Sequence, residues 1–458
     1  MDGSTMANEP RLAGWGEPPR RASFSLKRPD ESQNPMPSIV AAAYEQPVIK
    51  QWSALGPFYV VSDPEGIKRV FLDNVANYPK TDMERRFFSA VFGDGLLSSE
   101  GETWRAHRRT MAPSFSPPSV ASYAPSMVEE TLTFRDRWDQ APPDEPIDVA
   151  RDMSRLTLQI ISRAVFSTDG SALGEMMESS LAGAMAGMQV GVGDFIPVLD
   201  GLRQKARAKR IAGVFADLDA VVARLIAERE AQPGGSDLLS RLIAARDAET
   251  GIGMTAQEVR DQVVTIFVAG HETTAAAMAW IWYLLSQHPA EEAKLHAELD
   301  TVLAGRAPNH EDLPNLPYTR MVIDEAMRLY PPAPGTSTRM ALKADEVCGM
   351  KIPKGAMVCV VPWITHRHKT LWERPERFEP ERFSKTASEG RPRFAYIPFG
   401  AGPRVCIGAS LALTEMLIVL ATLAQRYRLA LAPGHEVEIH HQVTMRPKGG
   451  LPMIVTRR

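Results

Sequence analysis

Cysteine is scarce in this chain. Three occur among 458 residues, Cys348, Cys359 and Cys406. No two stand at C-x-x-C spacing, which argues against a disulfide framework, a zinc cluster and a C-x-x-C-H attachment site. A reducing cytoplasm is the expected compartment. An excess of one charge sign is also missing. The formal net charge is −3, which gives no reason to expect nucleic acid or an anionic membrane as partner. No repeat or low-complexity tract interrupts the chain. Residues 1–36 lack an apolar run able to act as a signal peptide or membrane anchor, and Asp2, Glu9, Glu17, Asp30 and Glu31 argue against an acid-poor presequence. The expected arrangement is a flexible arm, 1–36, ahead of one domain, 37–458. One long apolar stretch does exist, from Val263 to Leu285, but His271 and Glu272 sit in its middle. A charge at a bilayer centre costs about 2.5–3.5 kcal/mol, so a helix running through a protein core explains the stretch better.

What is present reads as mostly helix with a small β-rich part. Phe58-Tyr59-Val60-Val61 and the region between about Cys348 and Val361 read as strands bounded by Gly and Pro. Most segments from Trp104 to Leu303 read as helices. Arg207–Ala231 is one amphipathic run. Another runs from Thr255 to about Ser286, where Thr255 followed by Glu258 forms a capping box. Frequent proline between Pro308 and Pro403 predicts irregular chain around short helices.

Four groups of residues carry chemistry. The first is Phe399-Gly400-Ala401-Gly402-Pro403-Arg404-Val405-Cys406-Ile407-Gly408. A helical pattern starts at Ala409, so the Cys406 sulfur stands at a helix N-terminus, where free N–H groups favour an anion. Glycines at 400, 402 and 408 leave room for a flat group to approach the backbone. A lone cysteine is more often a small buried hydrophobe; here the ten surrounding residues point the other way. The second group is Ala269-Gly270-His271-Glu272-Thr273-Thr274 within the long helix. A zinc-protease helix would need histidine at 275, which is Ala275. Ala269 and Thr273 share a face, and small residues beside a hydroxyl open a notch where the hydrogen-bond ladder loosens; close helix packing is the competing reading. The third is Glu325 and Arg328, i and i+3 on a helix, with Arg382 further on. The fourth is Trp104 and Arg108, four apart, together with Arg339 and Arg404, guanidiniums suited to carboxylates.

These four groups, in their order along the chain, resemble the signature motifs of the cytochrome P450 family, over about residues 40–458 and including the ending Thr444-Met445-Arg446-Pro447-Lys448-Gly449-Gly450-Leu451-Pro452. The resemblance implies a helical prism around a haem, of the soluble bacterial type. It implies haem b held by the Cys406 thiolate, with Trp104, Arg108, Arg339 and Arg404 near its propionates and Phe399, Gly400 and Gly408 shaping the loop. It implies an oxygen groove at Ala269 and Gly270, a hydroxyl from Thr273 and proton delivery by Glu272, while His271 falls at a variable position and takes no role. Glu325, Arg328 and Arg382 would form a buried folding network. The implied activity is hydroxylation of a hydrophobic small molecule, with two electrons from a separate ferredoxin- or flavodoxin-type donor and its reductase, by a monomer. Arg105 and Arg109 would face an acidic donor, or simply water. Phe88, Phe195, Thr336, Ser337 and Met445 are candidate pocket residues. Met176, Met177, Met185 and Met188 would form either an adaptable lid or ordinary core. The alternatives are a peroxide-using peroxygenase, recognised by turnover without reductant, and a non-catalytic haem sensor or ligand carrier, recognised by failure to consume oxygen.

Overall fold

Apolar residues at helical spacing build the architecture of this computed structural model. It describes residues 12–13, 36, 39–53, 56–142, 144–167, 213, 216, 219–232, 234–441 and 443–458. Phe195, the four methionines of 176–188 and most of 1–36 lie outside the described residues. The helices that place the site are α1 (Asp82–Phe92), α2 (Gly101–Met111), α3 (Pro117–Asp139), α4 (Val149–Phe166), α5 (Ala256–Gln287), α6 (Pro289–Leu303), α7 (Pro317–Leu329) and α8 (Ala409–Ala424).

The longest, α5, starts where the sequence predicts. The Thr255 hydroxyl accepts from Glu258 N–H and the Glu258 carboxylate accepts from Thr255 N–H. Its second half is apolar on every side because α4, α6, α7 and α8 enclose it. Trp280, Ile281 and Leu284 are shut off from solvent. His271 turns toward α4, where its Nε2 lies 2.9 Å from Ser154 Oγ, and burial pushes the ring's pKa down to about 4.

The β-rich part is small. Strands β1 (Val48–Ser53), β2 (Gly56–Val61), β4 (Arg339–Met340) and β5 (Met357–Val360) form one sheet in the order β1-β2-β5-β4. The expected strand at 58–61 is the core of β2. It pairs parallel to β5, with Val60 opposite Cys359. β3 (Ile147–Asp148), β9 (Pro452–Arg457) and β6 (Tyr427–Leu431) form a second sheet. β7 (Ile439–His441) and β8 (Met445–Pro447) pair antiparallel. Part of the expected arm is docked rather than free. Leu12 is buried, Ala13 N–H donates to Tyr283 Oη at 3.1 Å, and Tyr330 Oη donates to the Ala13 carbonyl at 2.9 Å.

Candidate functional site

One cavity of about 380 Å³ separates the Cys406 loop from α5. Phe399, Gly400, Arg404, Cys406 and Gly408 form one wall; Ala269, Gly270, Thr273 and Thr274 form the other. Ala269 is exposed although it lies in the middle of the helix, because its surroundings end at this void. The helix runs unbroken through the stretch, and Thr273 Oγ1 donates to the Ala269 carbonyl at 2.7 Å. The groove is therefore a lack of side-chain volume, not a loosened ladder. A Cβ on Gly270 would meet Ile161 only at 3.4 Å, an ordinary contact. Close packing against α4 does not demand glycine there.

Glu272 does not line the cavity. Its Oε1 accepts from Thr444 Oγ1 at 2.6 Å and lies 3.6 Å from the Arg446 guanidinium. Strand alternation explains this arrangement and corrects the expectation for Met445. That side chain is fully buried in the core, with its backbone held by Pro332 and Trp280, so its neighbours Thr444 and Arg446 face the other way. Phe88 is also corrected. It packs against Phe87 and Phe92, with ring centroids 5.4 and 6.0 Å away, and does not reach the cavity. Thr336 and Ser337 do line it.

The cations gather at one edge. The Arg108 guanidinium has no hydrogen bond or ion pair among the described residues. Arg339 is buried, and its Nε has no partner among them. Burial lowers the pKa of both. Arg404 is placed beside them, but its charge is already matched. It pairs with Glu100 at 2.7 Å, donates to the Ser99 carbonyl at 3.0 Å and lies 4.2 Å over the Trp104 ring. Arg109 is held by Asp247 at 2.9 Å and Glu249 at 3.1 Å, and Arg105 by Glu102 at 3.1 Å, so the outer face of α2 carries ion pairs rather than free cations.

Two lining residues carry no signal in the sequence. Lys80 is buried with its amine donating to the Leu97 carbonyl, and burial brings its pKa down to about 8. Glu415 on α8 is buried, and its Oε1 has no partner among the described residues; burial raises its carboxyl well above the usual range. The Lys80 shift makes a testable statement. Its folded pKa of about 8 lies below the ordinary 10.5, so between these values the unfolded chain binds more protons and stability rises with pH. Cys348 and Cys359, both pushed up to about 11 mainly by burial, act in the opposite sense above pH 9, so the Lys80 contribution is read as a difference: between pH 8 and 10.5 the urea midpoint of the cofactor-free Lys80→Met variant should lose ground to the parent's as pH rises. A constant difference across that window would remove the Lys80 contribution.

Glu325 and Arg328 are both completely buried and 2.6 Å apart. Arg382 approaches Glu325 at 3.4 Å and Glu379 at 2.7 Å. Arg328 also donates to the carbonyls of His366, Pro375 and Arg377.

Fold and site together define a helical protein with one accessible thiol facing a core helix across a cation-edged void. A family model for cytochrome P450 matches residues 28–452. Cyclooctatin synthase from Streptomyces melanosporofaciens is 36% identical, over 87% of this chain and 86% of that protein. Cyclooctat-9-en-7-ol 5-monooxygenase from the same organism is 36% identical, over 83% and 82%. The crystal structure of the cytochrome P450DA heme domain superposes with a TM-score of 0.81 at 27% identity, covering 90% of each chain. The chain belongs to the cytochrome P450 family. With that membership come the oxidoreductase class, monooxygenase chemistry and haem as the family's cofactor. Among the described residues, no helix is long and apolar enough to cross a membrane.

The residues fit that cofactor. Arg339 Nε and the Arg108 guanidinium, without partners among the described residues, offer donors to two carboxylates. Gly400 has nothing within 4 Å of where a side chain would stand, and a Cβ on Gly408 would come no nearer to the Cys406 sulfur than 3.9 Å.

Proposed function

We propose that this protein holds haem b through the Cys406 sulfur and hydroxylates a hydrophobic small molecule in the cytoplasm. The observation that carries the reading is the shared cavity, with the thiol on one wall and the Ala269–Thr273 groove on the other. Haem, when bound, supplies the oxidising power that activates dioxygen. The chain's own residues do the rest. Arg108, Arg339 and Lys80 hold the carboxylates of the cofactor. Ala269 and Gly270 leave space on α5, and Thr273 offers its hydroxyl there once it turns from the Ala269 carbonyl. Glu272, reached from solvent beside Arg446, supplies protons to that hydroxyl. The apolar lining excludes water and orients the substrate.

Without a metal, burial raises the Cys406 thiol above its ordinary value, while the Gly408 N–H and the Arg108 charge pull it down. The sulfur is accessible to the cavity, and a bound metal ion deprotonates a coordinating thiol outright. The electrons come from a ferredoxin- or flavodoxin-type donor with its reductase, delivered to a monomer. The name of one relative makes an unsaturated carbocyclic alcohol the first substrate class to test.

A ligand screen that follows the Soret band tests the reading, since a substrate that displaces water from the site shifts it. Thr273→Ala should load haem yet lower the fraction of reducing equivalents recovered as hydroxylated product about tenfold or more, with peroxide in its place. Product and peroxide counted against reductant consumed decide it; full coupling in the variant would remove Thr273 from the proton path.

A further inference from the structure

Between α1 and α2 the chain crosses the cavity edge as a short strap, residues 93–99, and α5 leaves it no room to slide. Gly93 adopts a φ of 52°, and a side chain there would run into the Asp261 carboxylate; one on Gly95 would run into Thr265 Oγ1. Two strap amides are held by α5 side chains. Asp94 N–H donates to Asp261 Oδ2 at 2.9 Å, and Leu96 N–H donates to Gln262 Oε1 at 2.9 Å.

Gln262 is fully buried. Its oxygen is taken by Leu96, so its amide nitrogen must be the donor to His107 Nδ1, 3.1 Å away on α2. His107 Nδ1 then carries no hydrogen, and its Nε2–H donates to Glu258 Oε1 at 3.2 Å. The other oxygen of Glu258 completes the capping box of α5. One carboxylate thus starts the long helix and fixes the ring on α2. At its far end the strap is fastened by Arg404 of the Cys406 loop, which donates to the Ser99 carbonyl, and by Lys80, just ahead of α1, which donates to the Leu97 carbonyl. Between these fixings, Leu96 and Leu97 form part of the cavity wall.

We propose that Gln262 and His107 are specificity-determining positioning residues. By fixing the Leu96 amide they set the clearance between the Leu96–Leu97 wall and the groove of α5, and so limit the bulk of the hydrophobic ligand admitted. Neither residue lines the cavity; both act through the strap backbone. A merely structural polar network would support stability without sorting ligands by size. The inference rests on the cavity being the substrate site.

The test uses the haem-loaded full chain and its Gln262→Leu variant. Amide exchange is followed at residues 93–99, and imidazole, 4-phenylimidazole and miconazole are titrated by the Soret shift. Leu96 exchange should speed up about tenfold or more while the buried half of α5 keeps its protection. The miconazole-to-imidazole affinity ratio should rise about fivefold or more. Gln262→Glu keeps an acceptor for Leu96 and, protonated on the oxygen that faces His107 Nδ1, donates to the ring as the amide does, so it should restore both parental values. His107→Leu leaves Gln262 in place without its ring partner and should shift both in the Gln262→Leu direction; it serves if Gln262→Leu fails to load haem. Unchanged Leu96 exchange overturns the latch. Faster exchange with an unchanged ratio, or equal weakening of all three azoles, overturns the specificity role. Failure of the monooxygenase reading would instead show as no product from any substrate, and leave the exchange result standing.

Discussion

Glu325→Ala is expected to prevent stable folding. Arg328 is fully buried and makes two bonds to this carboxylate, Nε to Oε2 at 2.6 Å and Nη2 to Oε1 at 2.8 Å. Its remaining donors meet three backbone carbonyls, which neutralise no charge. Removing Glu325 leaves a guanidinium in the core with Arg382 beside it, a second positive charge. Breaking a buried pair from one side costs about 3–5 kcal/mol, a large part of the roughly 5–15 kcal/mol that holds a domain together. Glu325 Oε1 also accepts from Glu379 N–H, so the turn bearing Arg382 loses an anchor too. The expected result is insoluble protein or a melting temperature lower by about 10 °C or more. Glu325→Gln should fall between, because it keeps an acceptor without the charge. Wild-type melting in the alanine variant would mean that the pair stabilises nothing.

Cys406→Ser is expected to leave the fold intact and abolish the function. The side chain faces the void, and its backbone N–H is held by the Phe399 carbonyl at 2.9 Å, a bond that serine keeps. What changes is the donor atom. A serine hydroxyl does not supply the electron density of a thiolate, so the reduced carbon monoxide complex should lose its thiolate-type absorption band and hydroxylation should disappear. Circular dichroism of the cofactor-free variant should match the parent. A retained band would remove Cys406 from the site.

What could be read from the residues themselves, without the family resemblance, was local. Thr255 and Glu258 announce the start of α5 because a capping box lies within four residues. The helix after Cys406 begins at Ala409 because an apolar run follows Gly408 directly. The pairing of Glu325 with Arg328 is one helical turn long. What could not be read depends on distant segments or on facing. Lys80 finds its acceptor at Leu97, and Arg109 meets Asp247 138 positions away. Met445 and Thr444 are neighbours in sequence, yet strand alternation sends one into the core and the other to Glu272. Phe88 has the right residue type for a pocket, but its helix turns it onto other rings. Glu415 reads as one more helix former until burial isolates it.

The outward set of Glu272 has a practical side. Its carboxylate meets solvent through the β7–β8 hairpin, whereas Leu96, Leu97 and Thr336 border the void itself. Under the proposed function, the carboxylate that supplies hydrogen ions and the wall that fits the organic cargo therefore belong to different segments. Substitutions at Leu96, Leu97 or Thr336 for bulkier cargo leave the Thr444 and Arg446 contacts of Glu272 in place.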